Sequence, residues 1–400
     1  MKIAAIPNAH ALAHVSRLLE IAKILRDRGH EIIFGGTGRY LSVAKDCGFL
    51  VENLPYITIE QILDSVRSKK LGNLYRMQEI EGFVEEEVAF LRRHNPDLVL
   101  LDNRPTARTA ADLCNIRTAS VLNVHMSSYR KLPFFSLGDF IPALECLDPV
   151  EIKIEQFFYD QIVTKDLNKL RKKLGLKKYY GNEHEEGDLS LLTDIPEFNP
   201  TSELPNSVHL IGPITWHNDL PEPICLSKLN ESRKTLYFTL GSASLQEIIN
   251  ELGGLTQNNV QVVIAYGSHD ETSSEINLPE HIYLEKFVNA DKLLPYCDAV
   301  CCHGGNGTIY QALSHGKPII AVATHGEQLI GARRLQNLGL GRATTLERVK
   351  RLGIESLFKE INSVLDSDEI RTRCNEFKQK LYSWNGAQNA ADRIEFFGLN

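Results

Sequence analysis

Ala299-Val300-Cys301-Cys302-His303-Gly304-Gly305-Asn306-Gly307-Thr308-Ile309-Tyr310-Gln311-Ala312-Leu313 runs from an apolar strand, through three glycines, into the spacing of a helix that starts near Thr308. A strand that hands over to a helix in this way aims backbone N–H groups and a positive dipole end at whatever lies above the turn, which makes it an anion site. Glycine allows close backbone approach. His303 can donate to an oxyanion, and Thr308 can cap the helix or bind the same anion. An ordinary glycine-rich turn with a threonine cap has the same appearance, so the anion reading needs support from elsewhere in the chain.

Downstream, residues 318–322 form a second strand pattern, and Thr324-His325-Gly326-Glu327-Gln328 delivers a carboxylate and an amide side by side at its carboxyl end. Such a pair can accept and donate hydrogen bonds to adjacent sugar hydroxyls, although Glu-Gln is also a common helix start. Upstream, strand-like runs at 235–240, leading into Gly241-Ser242, at 260–265 and at 282–284 repeat the βα rhythm. The amino-terminal half shows it too. A strand at 3–6 precedes Leu18, Leu19, Ala22 and Leu25 on one helical face, a strand at 31–34 follows Gly29, and the apolar run 98–101 ends at Asp102. Further strands are expected at 189–193 and 208–211.

The pattern predicts an α/β chain of two doubly wound, Rossmann-like domains facing a central cleft. The expected divisions are an amino-terminal domain at 1–212, a Pro-rich linker at 213–230 and a second domain at 231–380. A helix at 381–400 is expected to pack back on the first domain. Residues 126–190 lose the alternation and are expected to carry specificity.

With 400 residues, 43% of them hydrophobic and 24% charged, the composition is that of a foldable chain, and it excludes disordered and fibrous classes. A net charge of −7 argues against a nucleic-acid partner. The eight cysteines show no CxxC pair and read as reduced thiols of a cytoplasmic protein. The apolar start is too short for a secretory leader, and no run is long enough to span a membrane, so the expectation is a cytoplasmic chain, at most peripheral to a membrane. Asp366-Ser367-Asp368 reads as a helix cap rather than a metal bridge, so no metal is expected. There is no Gly-x-Gly-x-x-Gly opening the first helix and no P-loop lysine, which disfavours a dehydrogenase or a P-loop nucleotidase.

Phe287-Val288, Leu293-Leu294, His303-Gly304-Gly305-Asn306-Gly307-Thr308, Ala312-Leu313, Gly316-Lys317-Pro318, Glu327-Gln328 and Ala332-Arg333-Arg334 resemble, in order and spacing, the donor-binding signature of the UDP-glycosyltransferase superfamily. The resemblance is greatest to the bacterial branch that glycosylates macrolides, other natural products and lipids. It is dense over about 282–341 and thinner elsewhere, at Gly241-Ser242, Ile211-Gly212-Pro213 and Arg28-Gly29-His30-Glu31.

The resemblance implies the GT-B fold and metal-independent, inverting transfer of a sugar from a UDP- or TDP-sugar to a hydroxyl of a small apolar acceptor. The nucleotide sugar serves as co-substrate and no further cofactor is implied. By the same resemblance, Gly241, Ser242, His303, Gly304, Gly305, Asn306, Gly307 and Thr308 hold the diphosphate. Glu327 and Gln328 hold the sugar, and the backbone at Phe287 and Val288 meets the nucleobase. The family's Gly-His-(Val/Ile)-x-Pro is represented by Ala13-His14-Val15-Ser16-Arg17, which keeps the histidine but lacks the glycine and the proline. The general base then maps to His14, with His10 as the nearby alternative. A helix start favours the neutral imidazole that a base requires. The family's orienting aspartate maps to Asp102.

Two other readings share these residues: a nucleotide-sugar epimerase or hydrolase of the same fold, and a catalytically silent nucleotide-sugar-binding protein. A membrane contact built from Leu132-Pro133-Phe134-Phe135 and the cations of 169–178 is less favoured than a pocket wall with a solvated helix face.

Overall fold

The computed structural model describes residues 1–67, 70–134, 136–139, 141–217, 220–239, 252, 255, 259–265, 280–285, 287–324 and 326–399. They form two compact units, Met1–Trp216 with Trp384–Asn400, and His217–Ser383.

The first unit is built on a seven-stranded sheet in the order β3-β2-β1-β4-β5-β6-β7. Its strands are β1 (Lys2–Pro7), β2 (Glu31–Gly36), β3 (Leu50–Asn53), β4 (Leu98–Asp102), β5 (Arg117–Leu122), β6 (Leu189–Leu192) and β7 (Val208–Leu210). Neighbours pair in parallel, and Pro7 stands opposite Asp102 in the β1–β4 register. The order reverses between β1 and β4, and in open α/β sheets ligands bind outside the carboxyl ends of strands at such a reversal. The elements follow from the sequence. β4 is apolar up to its last residue and buried throughout. The helix Leu12–Asp27 buries Val15, Leu18, Leu19, Ile21, Ala22 and Leu25 on one side. Asn95 and Asn115 close the helices Met77–His94 and Pro105–Cys114 in the left-handed conformation that asparagine tolerates.

The helix Gly386–Leu399 belongs to this unit. Ala390, Ala391 and Ile394 join the same apolar cluster as Leu18 and Ala22. Arg28 pairs with Glu395 and, at 2.6 Å, with Asp392, while His30 Nε2 lies 2.7 Å from Glu395.

The second unit repeats the plan with six strands ordered β10-β9-β8-β11-β12-β13. They are β8 (Lys234–Thr239), β9 (Val260–Ala265), β10 (Ile282–Glu285), β11 (Ala299–Cys302), β12 (Ile319–Ala323) and β13 (Gly341–Thr345), all paired in parallel. Its reversal lies between β8 and β11. β11 and β12 are wholly buried, and burial pushes the Cys302 thiol up to about 12. All eight cysteines are free. Among the described residues no helix is long and apolar enough to cross a membrane.

The stretch 126–190 contains the helix Asp148–Ile162, which periodicity did not disclose, and the helix Lys165–Lys173, whose cations the sequence placed on a solvated helix face. In the first, Val150, Ile154, Phe157, Phe158 and Ile162 are exposed, so its apolar residues do not report burial. In the second, Leu167 and Leu170 are buried, Lys169 pairs with Asp166 at 2.7 Å, and Lys173 pairs with Glu81.

Tyr179 pins this stretch to the helix Pro105–Cys114. Its ring lies 3.8 Å under the Arg171 guanidinium, and its hydroxyl accepts from Arg108 Nη2 at 3.0 Å and donates to Asp112 at 3.1 Å. His184 packs edge-on against Tyr179 at 5.7 Å. Burial, then the nearby Arg171 charge, pushes the His184 imidazole down to about 3. In the unfolded chain a histidine takes its proton as pH falls through ~6.5, whereas the folded His184 does not until about pH 3, so stability falls with pH between those values. From pH 7 to pH 5 this one residue should cost about 2 kcal/mol. Urea unfolding of His184→Gln should show a pH dependence flatter than wild type by about that amount, and equal slopes would remove His184 as the cause.

Candidate active site

At the carboxyl end of β4 the Asp102 side chain turns toward the first turn of the helix Leu12–Asp27, and His14 Nδ1 lies 2.6 Å from Asp102 Oδ1. A carboxylate only accepts, so Nδ1 carries the proton and Nε2 is left as the accepting nitrogen. Asp102 is 1% exposed and the His14 side chain 15%, which buries the orienting group and leaves the imidazole an open edge. Asn103, at φ 52°, turns the chain immediately after Asp102, and its Oδ1 accepts from Asn8 Nδ2 at 2.9 Å, tying the ends of β1 and β4 together. His10 does not join this pair. Its ring lies beside Ile57, Arg104 and Glu60, and burial depresses its pKa.

Arg17 went unread in the sequence. It donates to Asp102 through Nε at 2.9 Å and Nη2 at 2.7 Å, and through Nη1 to Asn123 Oδ1 at 2.6 Å and Thr193 Oγ1 at 3.2 Å. The available signal was its place three residues after His14 and one before Leu18, a cation within the apolar face of a helix.

In the second unit, β11 delivers His303 and the glycine turn. Gly304 adopts φ +86°, and a Cβ there would stand 2.9 Å from the Gln328 carbonyl oxygen, so only glycine lets the turn approach the next helix. A Cβ on Gly305 would collide with His303 Nε2, which places the imidazole over the turn. The helix Asn306–Ser314 starts two residues before the expected Thr308. Gly305 is its N-cap and no side chain caps it, so the Thr308 hydroxyl does not have the capping role. Gly304 completes the change of direction by itself, which lets the helix begin at once. The first helical bond runs from the Ile309 amide to the Gly305 carbonyl at 3.0 Å, leaving the Gly307 and Thr308 amides in the leading turn.

Gln328, in the helix Gly326–Asn337, accepts at Oε1 from the Thr324 amide at 2.9 Å and hydroxyl at 2.8 Å. Glu327 lies beside it in the first turn, and its side chain is outside the described residues, as are Gly241 and Ser242. After β10, Phe287 is 46% exposed and Val288 is buried. Ser367, not either aspartate of Asp366-Ser367-Asp368, caps the helix Asp368–Leu381. Among the described residues no group of three His, Cys, Asp or Glu side chains is placed to hold a metal ion.

Residues 247–395 match the family described as Erythromycin biosynthesis protein CIII-like, C-terminal domain. Over 381 residues, 92% of this chain and 86% of the relative, the sequence is 26% identical to a PGL/p-HBAD biosynthesis glycosyltransferase of Mycobacterium tuberculosis. It is also 26% identical over 380 residues to a PGL/p-HBAD biosynthesis rhamnosyltransferase of Mycobacterium bovis, covering 92% of this chain and 82% of that one. Among solved structures, the spinosyn rhamnosyltransferase SpnG superposes with a TM-score of 0.73 over 99% of this chain and 100% of its own, at 15% identity, which speaks to the fold. SpnG has also been solved with spinosyn aglycone and with thymidine diphosphate. Two parallel-sheet, Rossmann-like units with these relatives define a GT-B glycosyltransferase. These likenesses support the resemblance to the UDP-glycosyltransferase superfamily and its natural-product branch.

The glycine geometry is testable by itself. Gly304→Ala puts a side chain at a positive φ against a carbonyl and should lower the stability of the second unit by about 1–3 kcal/mol. Gly307→Ala, which faces open space within the helix, should be neutral or stabilising by up to about 1 kcal/mol. Thermal melts of the two variants that agree would contradict the assigned turn.

Proposed function

We propose that the chain is an inverting, metal-independent transferase that moves a sugar from a UDP- or TDP-sugar to a hydroxyl of a small apolar acceptor. The observation that carries this reading is the 2.6 Å contact between His14 Nδ1 and Asp102, which orients Nε2 as a proton acceptor. His14 Nε2 takes the acceptor's hydroxyl proton, and the oxygen attacks the anomeric carbon from the face opposite the nucleotide as the bond to the diphosphate breaks. Asp102 fixes the tautomer and faces the imidazolium that forms. The departing diphosphate is met by His303 and by the backbone of Gly304, Gly305, Asn306, Gly307 and Thr308, with Gly241 and Ser242 as further partners, so amides and an imidazole stabilise charge that a cation would otherwise meet. Glu327 and Gln328 are assigned to the sugar hydroxyls, and the backbone at Phe287 and Val288 to uracil or thymine.

TDP-rhamnose is the first donor to try, because two of the similar proteins are named as rhamnosyltransferases and one of them has been solved with thymidine diphosphate. A membrane-bound acceptor is the weaker reading, since two lysines of the cationic stretch are already paired with acids.

The assay is release of nucleoside diphosphate from TDP-rhamnose and UDP-glucose with a panel of phenols and apolar alcohols. His14→Ala should lose ~10²–10⁴ in rate with diphosphate affinity retained, and Asp102→Asn should also be slower. Unchanged turnover in His14→Ala would remove the base. Hydrolysis or epimerisation without an acceptor would favour the sibling activity, and binding without turnover a silent protein. Calorimetry separates the donor contacts. His303→Ala should weaken free UDP or TDP, whereas Gln328→Ala should weaken only the sugar-bearing donor, and equal losses in both would overturn the partition between phosphate and sugar.

A further inference from the structure

Arg17 stands where the family pattern has its proline, so the helix that carries the proposed base has exchanged a rigid apolar residue for a buried cation. Burying a guanidinium is costly unless every donor is met, and packing alone would be served by another leucine on that face. The donors are met in a particular way. Nε and Nη2 grip both oxygens of Asp102 at 2.9 and 2.7 Å, a two-pronged pairing that fixes the plane of the carboxylate. Nη1 is anchored to Asn123, just after β5, and to Thr193, just after β6, and Thr193 in turn donates to Asn123 at 2.8 Å. The fork is therefore held by three strand ends and cannot swing without breaking contacts at each. Nη2 also lies 3.1 Å from His14 Nδ1, but both nitrogens carry protons and share Asp102 Oδ1 as their acceptor.

We propose that Arg17 is a positioning residue for the base: it locks Asp102 in the orientation that selects the Nδ1–H tautomer of His14, and it cancels the carboxylate's charge, so that His14 works against a neutral ion pair. The inference rests on the reading of His14 as the base. A lone buried carboxylate would favour the imidazolium strongly and hold the base in its protonated, inactive form to higher pH; a neutralised one keeps the tautomer control while giving up much of that attraction. Among the described residues, the other titratable groups near these strand ends include His10, placed beside Arg104 and Glu60, His125, and Asp194. The Asp194 carboxylate accepts from the Val124 amide at 2.7 Å and from Asn199 at 2.8 Å.

The test reads His14 directly, by long-range ¹H–¹⁵N NMR of histidine-labelled protein across pH, with UDP and TDP affinity and a thermal melt as controls for the second unit and for folding. In Arg17→Met the His14 titration midpoint should move up by about one to two pH units, as expected for an opposite charge left uncompensated nearby. In Arg17→Lys, which keeps the charge but loses the fork, the midpoint should stay within ~0.5 unit of wild type while the Nδ1–H tautomer population falls. Should Arg17→Met not fold, Arg17→Lys and the double variant Asn123→Ala with Thr193→Val, which frees Nη1 alone, decide the matter. Both should loosen the tautomer without moving the midpoint. A wild-type midpoint in folded Arg17→Met, or a wild-type tautomer in both of the other variants, overturns the proposal. Failure of the base itself is a separate outcome, seen as turnover retained in His14→Ala whatever the NMR shows.

Discussion

A carboxylate with almost no access to water survives in a protein interior only when its charge and its lone pairs are met, and Asp102 is such a group. Much of the first unit is arranged around meeting it. The β1–β4 pairing sets Pro7 opposite Asp102, which brings the start of the helix Leu12–Asp27 above the carboxylate. One turn of that helix then supplies His14 and Arg17 on the same face, and the ends of β5 and β6 supply the neutral groups that hold the arginine. Remove the carboxylate and a buried guanidinium loses its countercharge; remove the guanidinium and the carboxylate loses its own. The interaction is thus mutual, and the imidazole takes its direction from a pair that is already fixed.

The second unit uses the same sheet reversal with a different solution. At the turn after β11 the arrangement rests on close backbone approach. Gly304 brings the turn against the helix Gly326–Asn337, and Gly305 makes room for the His303 ring. Backbone amides in a leading helical turn are fixed dipoles that need no reorganisation when an anion arrives. The two units thus show two kinds of preorganisation, one ionic and side-chain based, the other steric and main-chain based.

The legible parts of the sequence were those where chemistry or burial permits few alternatives. Strands buried on both faces, such as β4 and β11, announce themselves as apolar runs, and the residues of the glycine turn can be quoted without a structure. The edge strands β3 and β13 escaped notice because Val-Glu-Asn and Arg-Ala-Thr-Thr carry no apolar run, and β5 because Thr118 and Ser120 are polar yet buried. The helix Asp148–Ile162 was obscured for the opposite reason, with large apolar residues on an exposed face. His14 and Asp102, which the structure brings into contact, were both named from the sequence by resemblance, while Arg17 was passed over because a cation in a helix reads by default as a solvated side chain. The helix start at Asn306, not Thr308, shows that one residue at a positive φ can shorten a turn in a way composition does not reveal. Acceptor identity was not legible at all, since apolar pocket walls use the same residues as any core.

The chain passes from the first unit to the second after Trp216 and returns at Trp384, so the second unit is an insertion within the first. During synthesis this inverts the expected order of completion. All of the residues of the second unit have been made by Ser383, while the first unit, though begun earlier, still lacks the helix that carries Ala390, Ala391 and Ile394 into its core. Until residues 386–399 emerge, the apolar surface around Leu18 and Ala22 that this helix covers has no partner within the nascent chain's own fold. The unit bearing His14 and Asp102 is therefore the one whose maturation waits on the last helix, and damage to that helix would be felt within that unit, far along the sequence from the residues it disturbs.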